Sequence, residues 1–168
     1  MDGIAVFNSL PAERARAELL TCGAVPAWAE AVAAGRPYPS RAALLSAADT
    51  AARSLTWEQV CQGLAAHPRI GERAQGDSRE AAWSRQEQSG AAGADATGRV
   101  ALVDANRKYE AKFGHVFLIF ASGRDETEIL AEARRRLGND VATERIVVAE
   151  ELRKIALLRL GRLIDGLG

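Results

Sequence analysis

Between Glu144 and Ile164 apolar residues return every three or four positions. Val148, Leu152, Ile155 and Leu163 form one stripe, and Glu151, Arg153 and Lys154 populate the other face. That period specifies an amphipathic helix, and the rest of the chain is biased the same way. Alanine, leucine, glutamate and arginine dominate, aromatic residues make up 5% of the chain, and intrinsic propensity favours helix nearly throughout.

Helix starts are marked by capping residues: Ser40 before Arg41, Thr56 with Gln59, Ser78 before Arg79, and Asp125 with Glu128. Gly23, Gly35 and the pair Gly138-Asn139 succeed periodic stretches, where a left-handed turn is the usual way to end a helix. The predicted helices span 11–22, 25–34, 41–53, 57–66, 79–89, 95–113, 126–137 and 141–165, which makes an all-α bundle of seven or eight helices. The chain has 168 residues, 48% of them hydrophobic. That suffices for one well-buried core and is short for two, so residues 1–168 are expected to form one domain.

Charge and cysteine content narrow the function. Lys plus Arg number 22 and Asp plus Glu number 22, so no net field draws the chain to nucleic acid or an anionic membrane. Neither partner is expected. Cys22 and Cys61 make no disulfide framework and lack metal-site spacing. No signal-peptide pattern opens the sequence, and no run of about 18 apolar residues occurs. A cytoplasmic location is expected.

Two segments resist the helical reading. In His67-Pro-Arg-Ile-Gly-Glu72 the proline pushes His67 out of helical conformation at a helix end. The run Val116-Phe-Leu-Ile-Phe-Ala-Ser-Gly123 reads as a buried extended strand or simply as core. Segments where a regular scaffold gives way are where sites are expected. A third stretch, 89–98, is rich in glycine and alanine and reads as a loop or a broken helix.

Only two histidines are present, and histidine alone has an unperturbed pKa near neutrality. His67 reads first as a helix-end hydrogen bonder and second as a catalytic group, His115 as structural. Ser84, Glu87 and Gln88 stand at i, i+3 and i+4, on one helix face. By spacing alone this is first a solvated face. The alternative is a pocket wall whose hydroxyl, carboxylate and carboxamide match a ureido or imidazoline group. Arg159 sits between Leu158 and Leu160, either as a stem along the surface with its head in water or as a bidentate carboxylate clamp. Phosphate loops, cysteine knuckles, helical histidine pairs and nucleophile elbows are absent from the sequence.

An ordered set of short motifs adds to this. Phe7-Asn-Ser-Leu-Pro11, Leu19-Leu-Thr-Cys-Gly23, Arg36-Pro37, His67-Pro-Arg-Ile-Gly71, Trp83-Ser-Arg-Gln-Glu-Gln88, Asn106-Arg-Lys-Tyr109, Lys112-Phe-Gly114 and Arg159-Leu160 succeed one another along nearly the whole chain. Together they resemble the 2-oxo-4-hydroxy-4-carboxy-5-ureidoimidazoline (OHCU) decarboxylase family. Two departures are small: one cysteine in Thr21-Cys-Gly23 where many relatives have two, and Glu72 where aspartate is common.

The resemblance implies an all-α, cofactor-free and metal-free homodimer that converts OHCU to (S)-allantoin in urate breakdown. His67 would be the proton donor and Glu87 its orienting and stabilising partner. Pro68, Ser84, Gln88 and the segment Ile119, Phe120, Ala121, Ser122 and Gly123 would contact substrate, and Arg159 would meet its carboxylate. Two rivals remain: a non-catalytic helical interaction module, which would tolerate loss of His67, and a lyase or hydrolase acting on another ureido compound, separable by its products.

Overall fold

The computed structural model describes residues 2–70, 79–87 and 96–168. Nine helices occur among the described residues: α1 (Gly3–Ser9), α2 (Ala12–Cys22), α3 (Pro26–Ala34), α4 (Arg41–Arg53), α5 (Trp57–Leu64), α6 (Arg79–Glu87), α7 (Ala96–Phe113), α8 (Glu126–Arg136) and α9 (Val141–Leu167). No β-strand is found among these residues. Eight of the nine match the predicted helices to within two or three residues. The additional helix is α1, whose signal was Asp2: its carboxylate caps the backbone N–H of Ala5 at 2.8 Å.

The caps explain the boundaries. Ser40 accepts from Ala43 N, Thr56 and Gln59 form a reciprocal capping box, and Asp125 accepts from Glu128 N. Ser78 lies outside the described residues. The glycine stops need correction. Helices do end at Gly23 and Gly35, but with φ of −140° and −78°, and Gly138 is not left-handed either; positive φ is confined to Gly114 and Gly123 among the described residues. Space is what Gly35 provides, since a Cβ there would lie 2.3 Å from the Tyr38 hydroxyl.

The chain divides into two compact units, Met1–Ala66 with Leu152–Gly168, and His67–Glu151. In the first, α2 packs on α3 and α3 on α4. Trp28, Phe7, Leu19, Leu44 and Leu160 are fully buried, each apolar burial contributing about 1.5–3 kcal/mol. Gly3 approaches α9 so closely that a Cβ would sit 1.9 Å from the Ile164 carbonyl oxygen. Two of the sequence motifs, Phe7–Pro11 and Arg36-Pro37, bind each other here. Asn8 exchanges two hydrogen bonds with the backbone of Tyr38 (2.8 and 2.9 Å), and Arg36 Nη1 donates to the carbonyls of Phe7 and Leu10.

In the second unit α7 packs on α8. Its core gathers Ile70, Leu102, Ala105, Tyr109, Phe117, Ile119, Ala121, Ile129 and Ala133. Glu151, assigned by period to a polar face, is buried instead, because its carboxylate accepts from the backbone of Phe120.

Candidate functional site

The unit His67–Glu151 contains both irregular segments and α6. The last turn of α5 tightens at Ala65, whose N–H is shared between the carbonyls of Cys61 and Gly63. The chain then leaves the helix, and half-buried His67 and Pro68 lead into exposed Arg69 and buried Ile70. Two groups of α7 hold this loop: Asn106 Nδ2 donates to the Ile70 carbonyl at 2.8 Å, and Arg69 Nε meets Glu110 Oε1 at 2.6 Å. Gly71 and Glu72 lie outside the described residues.

On α6, Ser84 and Glu87 are each 7% exposed. The solvated-face reading therefore fails for both; α6 turns this polar stripe inward beside buried Trp83. Gln88 lies outside the described residues.

The run from Val116 to Ala121 has no regular secondary structure, and Ser122-Gly123 turn the chain. Phe117, Leu118, Ile119 and Ala121 are buried, so periodicity correctly marked core, yet no neighbouring strand among the described residues takes up the backbone. Its hydrogen bonds there go instead to side chains and one turn. Leu118 O accepts from Arg136 Nη1 (2.7 Å), Phe120 N donates to Glu151 Oε1 (3.4 Å), His115 Nδ1 lies 3.0 Å from Val116 O, and Ala121 O accepts from Arg124 N. The backbone N–H groups of Ile119 and Ala121 are left without a protein partner among the described residues, although both residues are buried. Gly123 ends the run with φ +79°, a value that favours glycine.

Arg136 anchors this segment from a site that sequence reasoning missed. Its side chain and that of Glu144 are both 0% exposed. Arg136 Nε donates to Glu144 Oε1 at 2.7 Å, Tyr109 OH donates to the same oxygen at 2.6 Å, and Asn139 Nδ2 donates to Oε2 at 3.0 Å. The guanidinium lies 4.6 Å from the ring centroid of Phe117. Burial first, and the Glu144 hydrogen bond second, push the Tyr109 phenol far above its ordinary range. Lys112 Nζ donates to the carbonyls of Leu137 and Asn139, closing the end of α8. His115 sits edge-on to Tyr109, with ring centroids 5.5 Å apart, as a structural reading requires.

Arg159 belongs to the other unit. At 5% exposure it is not a stem with its head in water. Among the described residues no group of three or more His, Cys, Asp or Glu is placed to hold a metal ion, and no helix is long and apolar enough to cross a membrane. Cys22 is buried and Cys61 half-buried, both as free thiols.

Known proteins resemble this chain in sequence and in fold. The chain is 31% identical over 151 residues to the uric acid degradation bifunctional protein TTL of Arabidopsis thaliana, covering 88% of this chain and 47% of that protein. It is 38% identical over 80 residues to the 2-oxo-4-hydroxy-4-carboxy-5-ureidoimidazoline decarboxylase of Amia calva, covering 48% of this chain and 46% of that one. The matches thus span about half the length of these curated relatives. A crystal structure of OHCU decarboxylase in the presence of (S)-allantoin superposes with a TM-score of 0.76 at 26% identity, over 88% of this chain and 96% of the other. A crystal structure of (S)-allantoin synthase, at 18% identity and a TM-score of 0.73 over 96% of this chain and 54% of that one, shares the fold. A family model described as OHCU decarboxylase matches residues 8–161, a span that takes in most of both units, and the chain belongs to the OHCU decarboxylase family.

Proposed function

We propose that this protein decarboxylates 2-oxo-4-hydroxy-4-carboxy-5-ureidoimidazoline to (S)-allantoin in urate catabolism, as one functional domain over residues 1–168. The observation that carries the reading, within this family, is the buried irregular run 117–121. Buried backbone N–H groups are nearly always paired, so those of Ile119 and Ala121 call for an acceptor from outside the protein. The carbonyls of a ureidoimidazoline supply one.

The chemistry asks little of a cofactor. Loss of carbon dioxide leaves an electron pair on a ring carbon next to one that can be in a C=N bond, so the substrate is its own electron sink. The protein has to hold the scissile carboxylate across the ring plane, stabilise charge gathering on the ring, and deliver one proton to one face. In this reading His67 delivers the proton, its loop held by Asn106. Glu87 accepts from the ring hydroxyl or ureido N–H groups and steadies the imidazolium. Ser84 and Gln88 fix the ureido arm, and Pro68 and the backbone of 119–123 line the ring. The protein acts without metal or organic cofactor, as a cytoplasmic homodimer.

The test generates the unstable substrate in place from urate with urate oxidase and hydroxyisourate hydrolase, and tracks the circular dichroism of (S)-allantoin. The wild-type chain is expected to speed its appearance and set its handedness. His67→Asn should keep the far-ultraviolet spectrum and lose about 10²- to 10⁴-fold in rate, the usual worth of a positioned proton donor. Full activity in that variant removes His67 from the mechanism, and a wild type that leaves spontaneous decay unchanged removes the decarboxylase reading.

A further inference from the structure

A buried ion pair is an expensive way to hold a chain, and packed apolar groups in its place are often no worse. Arg136 and Glu144, both with no exposure, therefore call for a reason beyond anchorage. What Arg136 touches supplies one. Its Nη1 donates at 2.7 Å to the Leu118 carbonyl, and that carbonyl belongs to the same peptide group as the Ile119 N–H. A peptide group is planar, and in the trans form its C=O and N–H point in opposite directions. The only cis peptide bond among the described residues is Arg36-Pro37. The Ile119 N–H is thus turned to the side opposite the guanidinium.

Charge within the cluster favours this one peptide. The Glu144 carboxylate accepts from Arg136, Tyr109 and Asn139, which spreads its negative charge over three donors. The positive charge of Arg136 lies one hydrogen bond from the Leu118 oxygen. A hydrogen bond from an ionised donor is roughly twice as strong as a neutral one, and bonds in a chain strengthen one another by about 10–30% each in a low-dielectric interior. Leu118 and Ile119 are both buried, so little water screens the effect. The second unpartnered donor of the run is not backed in this way. The Ala121 N–H shares its peptide with the Phe120 carbonyl, which has no hydrogen-bond partner among the described residues.

We propose that Arg136 is a positioning residue of the decarboxylation: through the Leu118–Ile119 peptide it aims and polarises the Ile119 N–H toward the negative charge that gathers on the ring as carbon dioxide leaves. The inference rests on the decarboxylase reading. Arg136 itself acts at one peptide's remove from the substrate. Its contribution grows as charge develops, so it belongs to the transition state more than to the bound ground state.

The test compares the full chain with Arg136→Leu/Glu144→Leu, which removes both buried charges together. Arg136→Met/Glu144→Gln, which leaves Tyr109 and Asn139 an acceptor, takes its place if the first does not fold. In ¹⁵N-labelled protein, loss of the hydrogen bond to the Leu118 carbonyl should move the Ile119 nitrogen upfield and leave that of Ala121 in place. Titration of the wild type with (S)-allantoin should shift the Ile119 amide. In the coupled urate assay kcat of the double variant should fall about tenfold, less than the 10²- to 10³-fold that follows outright removal of such a donor. KM should change by about twofold or less, because the lost interaction strengthens only in the transition state. Arg136→Lys, which keeps the charge, should retain more of kcat than the double variant. The proposal is overturned by an unmoved Ile119 nitrogen in the folded double variant, by an Ile119 amide indifferent to (S)-allantoin in the wild type, or by a change in KM with kcat intact. Any of these in an active wild type leaves the decarboxylase reading standing, whereas a wild type that does not speed decay removes that reading and this role together.

Discussion

The two irregular segments of the second unit are held in opposite ways. His67–Ile70 is tied to α7 by one buried hydrogen bond and by the Arg69–Glu110 pair, whose side chains are 50% and 25% exposed. Val116–Gly123 is tied by Arg136, which donates to the Leu118 carbonyl and is paired with Glu144, both with no exposure at all, the Glu144 carboxylate also accepting from Tyr109 and Asn139. The ion pair in the first hold is partly wet and screened by salt. The second is dry and holds a backbone whose N–H groups at Ile119 and Ala121 have no partner among the described residues. A decarboxylase of the proposed kind needs both: a rigid edge against which the ring is placed, and a proton donor able to approach it.

The largest break in this contrast comes from Arg136→Leu. Removing one partner of a buried pair leaves Glu144 charged and uncompensated, which costs about 3–5 kcal/mol, a fall in Tm on the order of ten degrees for a chain of this size. The double variant Arg136→Leu/Glu144→Leu should recover much of that loss, because a buried pair replaced by packed apolar groups is often near neutral. Urea denaturation of the two variants decides the matter. A single variant within about 1 kcal/mol of wild type, with a double variant no better, would mean that the pair is not the anchor described.

A middle-sized effect sharpens the same contrast at high pH. Tyr38 and Tyr109 are the only tyrosines. Burial raises both phenols above 10.0. A raised folded value favours the protonated form, so the stability it contributes is complete below the unfolded value and drains away as pH rises beyond it. Absorbance at the phenolate band should therefore begin to rise only above the ordinary tyrosine range for both residues. Two separate steps in a still-folded protein, one at the ordinary value, would show that one of the two hydroxyls is not buried as described.

Sequence patterns and tertiary chemistry divided the work along physical lines. Helix boundaries were legible because caps act locally: Ser40, Thr56 and Asp125 announce themselves within three residues. The 116–123 run was legible as buried but not as unladdered, since periodicity cannot say whether a strand partner exists. Arg136 was invisible. It stands in Arg134-Arg135-Arg136, and nothing in that run distinguishes the one whose exposure is zero. The polar stripe of α6 reads as solvated until tertiary packing buries Ser84 and Glu87. Motif residues such as Asn8, Arg36 and Lys112 stood out only as part of a family pattern, and each makes a side-chain to backbone tie across a long sequence separation, which local reasoning cannot anticipate.

The smallest effect tests the wet side of the contrast. Glu110→Gln keeps the shape of the side chain while removing the charge that faces Arg69, and half-exposed pairs of this kind are worth about 0–1 kcal/mol. Stability should change by no more than that, and the difference from wild type should shrink as salt is raised, because such a pair is screened over roughly 10 Å at 0.1 M salt. The change in Arg136→Leu should be nearly insensitive to salt, since no ions reach a pair with zero exposure. Equal salt dependence in the two variants would erase the distinction between a screened clamp and a dry one. A loss in Glu110→Gln as large as in Arg136→Leu would make the His67 loop as rigidly held as the 116–123 segment.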